Sequence, residues 1–214
     1  MMKVHSIGDS HCAFSFRDIE EGYILYFRGE DILKVPFEIH YLGSKTMYSF
    51  GKKGVAEENY HGIGVGEYLV FCFGEIDVRC HIYNQIDLHH RKLEEVITSL
   101  IDAYISRIKE IEAKYKIHPV IFGITPPVRE LTVEGYPSVG PYQERVKYTK
   151  LLNASLKKAA SGHGILYFDV FDEYALKDGS LNMKYSDGIM HISQEYNRPV
   201  KNKLCDLISN SRKS

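Results

Sequence analysis

Short apolar runs alternate with longer amphipathic stretches along this chain. Three of the runs end at a glycine, which is a common way to leave a strand. Nearly continuous apolar strands are typical of a sheet that is covered on both faces, so they favour a parallel α/β sheet. The five predicted strands are Lys3–Ile7, Glu38–Leu42, Tyr68–Phe73, Pro119–Ile124 and Ile165–Val170.

The stretch after Asn84 is the clearest predicted helix. Its apolar residues recur at three- and four-residue steps across Leu93–Ile111 and form a single stripe. Asn84 or Asp87 is expected to cap its start, and it must end before His118, because the residue that precedes a proline is disfavoured in a helix. Further helices are predicted over Tyr142–Ala160 and Ser193–Ser209.

Strand-helix alternation of this kind predicts one doubly wound α/β domain over residues 1–214. The 214 residues are 44% apolar and 26% charged, enough for one sizeable core and short for two complete domains. With 27 basic and 28 acidic residues the formal net charge is −1, which argues against nucleic acid or an anionic membrane as the main partner.

Several features predict a cytoplasmic location. The N-terminus lacks the apolar segment of a secretory signal, and no run approaches the ~18 apolar residues of a membrane span. The four cysteines, Cys12, Cys72, Cys80 and Cys205, have no C-x-x-C spacing, which favours free thiols in a reducing compartment.

The segment Thr125–Pro141 contains four prolines and two glycines and cannot be regular structure. It follows a predicted strand, and ligands of open α/β sheets bind beyond the carboxyl ends of the strands. A substrate lid is therefore our preferred interpretation, with a plain surface loop as the alternative.

Four short polar segments fall where strands end or just before the last helix. If the strands are parallel, all four converge on one edge of the sheet. They are Gly8-Asp9-Ser10-His11, Gly43-Ser44, the segment from Gly74 to His81, and the segment from Ser186 to His191.

These segments contain the parts of a nucleophilic site. Ser10 on a tight turn would be an exposed nucleophile, which needs a base and an orienting carboxylate. His191 and Asp187 can supply both, and the backbone N–H groups of Ser10 and Gly43 could stabilise an oxyanion. Each element alone is common by chance, so the interpretation depends on their order and placement.

Together these segments resemble the SGNH, or GDSL-type, hydrolase superfamily. The resemblance consists of Gly8-Asp9-Ser10 after the first strand, Gly43 after the second, Gly74 to Asp77 after the third and the Asp187/His191 block. It implies a three-layer α/β/α sandwich with a five-stranded, flavodoxin-like parallel sheet. It also implies Ser10 as nucleophile, His191 as base, Asp187 as its orienting group and an oxyanion hole at the Ser10 and Gly43 amides, with no metal or other cofactor.

Two positions depart from the family pattern. The third block usually reads Gly-x-Asn-Asp, whose Asn is an oxyanion donor, and here Ile76 stands in its place. Loss of one such donor typically costs ~2.7–4 kcal/mol of transition-state stabilisation. Arg79, His81 and Asn84 are the nearby candidates to replace it. The second departure is the spacing of Asp187 and His191, which is four residues where the family has three.

The Gly-Glu-Ile-Asp variant is similar to one found among bacterial or viral surface-polysaccharide proteins. The expected function is therefore an esterase for a small acyl group, such as O-acetyl, on a small molecule or glycan, and an acyltransferase on the same site is the alternative. The remaining polar residues of these segments are expected to bind substrate, although Asp77 is also expected to tether loops or pair with Arg79. These residues are Asp9, His11, Asp77, Arg79 and His81.

Two other classes of function compete with this interpretation. Asp9-x-His11 and the segment from Gly74 to Arg79 are similar to the metal-binding blocks of calcineurin-like metallophosphoesterases. Against that, Glu75 stands where a bridging Asp is needed, and no Gly-Asn-His-Asp/Glu block exists. The other class is a non-catalytic carbohydrate-binding relative, which would keep the fold and the pocket without turnover.

Overall fold

A five-stranded, wholly parallel sheet forms the centre of the protein. The computed structural model describes residues 3–13, 19–20, 23–24, 37–131 and 135–212. The strands are β1 (Val4–Gly8), β2 (Ile19–Glu20), β3 (Tyr23–Ile24), β4 (Phe37–Tyr41), β5 (Tyr68–Cys72), β6 (His118–Phe122) and β7 (Leu166–Phe168). The main sheet has the order β4-β1-β5-β6-β7, while β2 and β3 form a separate antiparallel pair.

Among the described residues, six α-helices accompany the sheet. They are α1 (Met47–Lys53), α2 (Ile82–Asp87), α3 (Leu93–Tyr115), α4 (Tyr142–Gly162), α5 (Phe171–Tyr174) and α6 (Arg198–Ser211). The long predicted helix is α3, but its predicted cap is wrong, because Asn84 and Asp87 belong to α2. The chain breaks between the two helices at His90, whose φ is +50°, and Lys92 precedes the first turn of α3.

The last helix begins later than the sequence pattern predicts. Residues Gln194–Tyr196 form a single 3₁₀ turn, and α6 starts at Arg198. Pro199 stands in its first turn, where a missing N–H costs nothing and the fixed φ suits a helix.

Each face of the sheet carries its own apolar cluster, because successive side chains of a strand point to opposite faces. On one face Ile7, Phe71 and Ile121 pack with α1, α3 and α4. On the other face Val4, Val70 and Val120 belong to a cluster that includes Val200, Leu204 and Ile208 of α6. All five residues of β5 are buried, which explains its continuous apolar sequence.

This architecture is the predicted three-layer α/β/α sandwich, and the strand order is that of flavodoxin-like folds. Because all five strands run in the same direction, their carboxyl ends lie at one edge of the sheet. None of the helices in the described part of the chain combines the length and the apolar character needed to cross a bilayer.

Candidate active site

Ser10 lies directly beyond the carboxyl end of β1, at the start of a 3₁₀ turn over Ser10–Ala13. The turn is drawn tightly against β5, since the Asp9 amide donates to the Cys72 carbonyl at 3.2 Å. A Cβ atom on Gly8 would lie 1.9 Å from that same carbonyl oxygen. Only glycine permits this approach, so the Gly-Asp-Ser sequence follows from the packing of the turn.

The structure brings Ser10, His191 and Asp187 into one hydrogen-bonded chain. The Oγ of Ser10 lies 2.8 Å from Nε2 of His191, although the two residues are 181 positions apart. The other ring nitrogen, Nδ1, lies 2.7 Å from Oδ2 of Asp187. This connectivity assigns the Nδ1 proton to the Asp187 side and leaves Nε2 as the acceptor for the serine proton.

The four-residue spacing of Asp187 and His191 is accommodated by a compact loop. The Asp187 amide donates to the His191 carbonyl at 3.0 Å, and Ser186 and Ile192 form an antiparallel bridge. Oδ1 of Asp187 accepts from the amides of Ile189 at 2.9 Å and His191 at 3.2 Å, while Gly188 has φ +93°. Oδ2 of Asp187 therefore remains available to contact the imidazole of His191. The loop accommodates one more residue than the family pattern has, and the contact between the two side chains is kept.

Burial and neighbouring charges set the protonation of this chain. Burial lowers the pKa of His191 below its usual range, and the charge of His11 lowers it further against the opposing effect of Asp187. Burial raises the pKa of Asp187, but the hydrogen bond and charge of His191 and two amide donors outweigh it and hold that pKa low. A neutral imidazole beside an ionised carboxylate is the state that a general base needs.

The two proposed oxyanion donors occupy equivalent places on neighbouring strands. Gly8 of β1 is in register with Tyr41 of β4, so Ser10 and Gly43 each lie two residues beyond the paired ends. The Leu42 amide donates to the Gly8 carbonyl at 2.9 Å and continues the ladder toward Gly43, whose φ is +69°. Their backbone N–H groups are therefore at the same edge of the sheet.

Asp77 tethers a neighbouring segment. It is 2% exposed, and its two oxygens accept from the amides of Met47 at 2.6 Å and Tyr48 at 3.1 Å. Burial raises its pKa to about 6, against the effect of these amide donors. We therefore expect Asp77 to position the start of α1, which is the tethering role that the sequence also predicts.

Arg79 is likewise occupied by protein groups. Its Nε donates to Glu75 at 2.7 Å and its Nη1 donates to the Pro137 carbonyl at 2.5 Å. These contacts leave Arg79 poorly placed to replace the missing oxyanion Asn. Asn84 donates to the Cys80 carbonyl at 3.3 Å, whereas His81 is exposed.

His11 packs against His191, a contact that sequence reasoning missed. The two ring centroids are 4.8 Å apart, and Nδ1 of His11 lies 3.1 Å from Oδ1 of Asp9. Burial lowers the pKa of His11, but the hydrogen bond and charge of Asp9 and the charge of Glu75 outweigh it and raise that pKa. The only sequence signal was its place next to Ser10, and we expect it to act on His191 rather than on substrate.

A small cavity of about 10 Å³ borders this second histidine. Among the described residues, Oδ2 of Asp9, Nε2 of His11 and Oγ1 of Thr125 are buried without a hydrogen-bond partner from the protein. All three residues line the cavity. These three unpaired polar atoms and the volume of the cavity suit a single water molecule.

A larger groove of about 390 Å³ lies between α1, α2 and α3. Its walls include Thr46, Tyr48 and His81, and Tyr48 is 57% exposed. Thr46 is three residues beyond Gly43 in the sequence, and none of Ser10, Asp187 and His191 lines the groove. His81 is the predicted substrate-binding residue that the structure leaves accessible.

The predicted loop Thr125–Pro141 contains no helix or strand among its described residues, and residues 132–134 lie outside the described residues. It is held at several points. Arg145 is 3% exposed and donates to the carbonyls of Gly140, Val128 and Arg129. The Val139 amide donates to the Arg79 carbonyl at 2.8 Å, which ties the loop to the third block of the site. The lid role stays a prediction.

The residues that would bind metal in the metallophosphoesterase alternative form hydrogen bonds within the protein instead. Asp9 contacts His11, Glu75 accepts from Arg79, and Asp77 accepts from two backbone amides. In the part of the chain that the structure describes, ligand atoms of three such residues come together elsewhere, at His5, Glu38 and His40.

Comparison with solved structures identifies the class of fold. A GDSL-like lipase from Bacteroides thetaiotaomicron has a TM-score of 0.61 at 14% identity, over 98% of this chain and 88% of the other. A carbohydrate acetylesterase from Sinorhizobium meliloti has a TM-score of 0.58 at 16% identity, over 98% and 99% of the two chains.

An aryl esterase from M. smegmatis has a TM-score of 0.58 at 13% identity, over 98% and 99%. No protein-family model matches the chain, and no curated protein matches it in sequence. The chain therefore has the fold of the SGNH, or GDSL-type, hydrolases, which confirms the resemblance predicted from its motifs.

Proposed function

We propose that this protein is a serine esterase that removes a small acyl group, such as O-acetyl, through an acyl-enzyme on Ser10. The observation that carries the proposal is the hydrogen-bonded chain from Ser10 through His191 to Asp187. A hydroxyl whose proton is accepted by a buried neutral imidazole has the arrangement required of an activated nucleophile. The likeness in fold to an aryl esterase and a carbohydrate acetylesterase supports the same class of reaction.

In the proposed reaction, Oγ of Ser10 attacks the ester carbonyl while Nε2 of His191 accepts its proton. Asp187 keeps the other ring proton on Nδ1 and stabilises the imidazolium that forms. The amides of Ser10 and Gly43 donate to the developing oxyanion. His191 then protonates the leaving alcohol, and water attacks the acyl-enzyme by the same steps in reverse.

The groove between α1, α2 and α3 is our candidate for the alcohol part of the substrate. The exposed ring of Tyr48 offers an apolar face, and His81 and Thr46 offer polar groups. Aromatic faces with a few polar neighbours suit a sugar ring, which supports a glycan ester as substrate.

A fluorophosphonate probe tests the nucleophile directly. We expect the intact mass of the folded wild type to increase by one adduct, with no adduct on Ser10→Ala. Ser106→Ala removes an exposed serine of α3 and should label like the wild type. Labelling should be indifferent to EDTA, because no step uses a metal.

The proposal also requires that the protein hydrolyses an ester at the labelled serine. Wild type, but not Ser10→Ala, should hydrolyse p-nitrophenyl acetate faster than its longer-chain homologues. Absence of an adduct on folded wild type, or equal labelling of Ser10→Ala, would contradict the proposal. An adduct without hydrolysis of any acetyl ester would instead favour transfer to an acceptor or a binding protein, and acetylated sugars with and without an acceptor alcohol would separate the two.

A further inference from the structure

Two imidazoles and a carboxylate meet on neighbouring strands, away from the catalytic edge. His5 of β1 is in register with Glu38 of β4, and His40 lies two residues further along β4, on the same face as Glu38. Nδ1 of His5 is 2.9 Å from Nε2 of His40 and 3.9 Å from Oε2 of Glu38. One ligand atom from each of the three residues lies within 4.8 Å of the others.

A carboxylate fixes the orientation of the buried imidazole. Nε2 of His5, which is 0% exposed, lies 2.9 Å from Oε2 of Glu67, and that oxygen also accepts from the Gly64 amide at 2.6 Å. The carboxylate holds a proton on Nε2, so the lone pair of Nδ1 points toward His40 and Glu38. Metal-binding histidines characteristically donate their other ring N–H to a carboxylate in this way.

The cluster is open on one side. Glu38 has 41% of its side chain exposed, and His40 is half-buried. A cation could therefore reach the cluster from solvent, and water could complete its coordination. The ammonium group of Lys3 contacts Glu38, so a cation that binds this carboxylate has to displace it.

We propose that His5, His40 and Glu38 form a binding site for a first-row divalent cation, zinc in the first instance. Two imidazole nitrogens and one carboxylate oxygen, with water as the fourth ligand, are a donor set that suits tetrahedral Zn²⁺. The ligands come from β1 and β4, so the ion joins the edge strand of the sheet to its neighbour. His5 is three residues from the end of β1, about 10 Å along the strand at ~3.3 Å per residue, so the site is separate from the Ser10 site.

Direct binding to the EDTA-treated chain of residues 1–214 tests the proposal. Calorimetric titration with Zn²⁺ should give one ion per chain with a dissociation constant in the micromolar range or tighter. Co²⁺ should develop the visible absorption of a tetrahedral complex. Ser10→Ala should bind with unchanged affinity, so this result is independent of the proposed esterase.

Variants identify the ligands. His40→Ala should weaken Zn²⁺ binding at least tenfold, and Glu67→Gln, which keeps all three ligands, should weaken it by about 10–100-fold. Lys3→Met should tighten binding, because the ammonium group no longer competes for Glu38. The double variant His89→Ala/His90→Ala removes two adjacent exposed histidines and should bind Zn²⁺ like the wild type.

Circular dichroism establishes that each variant is folded. If His40→Ala does not fold, Lys3→Met and Glu38→Gln decide the question, with tighter and weaker binding expected. The proposal is overturned if the wild type takes up no Zn²⁺. It is overturned equally if folded His40→Ala, or failing that Glu38→Gln, binds like the wild type, or if the His89/His90 variant abolishes binding.

Discussion

At the scale of a single residue, the protonation state of His191 controls the rate of the proposed reaction. Because only the neutral imidazole accepts the serine proton, kcat/KM should rise with pH through the pKa of this histidine. Burial and the charge of His11 hold that pKa below its usual range, so half-maximal kcat/KM should be reached below pH 6.5. A pH–rate profile with p-nitrophenyl acetate measures it.

His11→Gln tests the cause of this shift. The pKa of His11 is raised, so its ring carries positive charge across the acid limb, and removing that charge should let His191 protonate at higher pH. The acid limb of kcat/KM is therefore expected to move to higher pH, while His89→Gln, at an exposed site, leaves it in place. If the acid limb of kcat/KM in His11→Gln is unchanged or moves to lower pH, the charge of His11 does not lower the pKa of His191.

Ile76 occupies the position where the GDSL-type sequence pattern has an Asn, which is an amide donor. Removal of one such donor costs about 10²–10³ in kcat, so Ile76→Asn should raise kcat for p-nitrophenyl acetate by at least ~10-fold if that donor limits the rate. Ile76→Leu supplies no donor and serves as the control. Unchanged or lower activity in Ile76→Asn would show that another group already fills the role.

At the scale of an element, Gly8 links the end of β1 to the turn that holds Ser10. A Cβ atom there would lie 1.9 Å from the Cys72 carbonyl oxygen, so β1 and β5 must separate where Ser10 is held. Gly8→Ala should lower the free energy of unfolding by about 1–3 kcal/mol and reduce fluorophosphonate labelling. Urea denaturation measures the first effect and intact mass the second.

Gly162 is a control for Gly8, because a side chain at Gly162 would meet no neighbouring atom. It ends α4, and a Cβ atom there meets nothing within 4 Å. Gly162→Ala should therefore leave stability unchanged or raise it by up to about 1 kcal/mol. If both alanine variants behaved alike, the close approach at Gly8 would not be what selects glycine.

Strand β5 was predicted more accurately than the start of α3, for a physical reason. β5 is buried along its whole length, so burial on both faces accounts for its continuous apolar sequence, and it differs from its predicted range only at Phe73. The start of α3 depends instead on the positive φ of His90, which no apolar pattern reveals. The capping residues Asn84 and Asp87 were plausible on chemistry alone, yet they fall inside α2.

The candidate site was predictable only as a list of residues. Ser10 and Gly43 could be chosen because each follows a predicted strand, and Asp187 and His191 because they precede the last predicted helix. Their distances, and the loop that accommodates the spacing of Asp187 and His191, depend on contacts across 181 residues. The packing of His11 on His191 depends on the same tertiary contact, which is why the sequence assigned His11 to substrate instead.

At the scale of the whole molecule, one sheet supports two separate apolar clusters. Ile108 of α3 is fully buried on one face and Leu204 of α6 is fully buried on the other. If residues 1–214 fold as a single domain, neither helix layer can be lost while the sheet persists, because β1, β5 and β6 contribute residues to both clusters. The two clusters should then unfold in one transition.

Ile108→Ala and Leu204→Ala test this cooperativity. Each deletes a buried aliphatic side chain and should cost about 2–5 kcal/mol of stability. In urea, far-ultraviolet dichroism and tyrosine fluorescence should give coincident transitions for both variants, with the midpoint lowered and the slope unchanged. Because the two sites share no contact across the sheet, the double variant should show the sum of the two losses to within ~0.5 kcal/mol. A separate early transition in Leu204→Ala alone would mean that the α6 layer unfolds by itself, and residues 1–214 would then not be one cooperative domain.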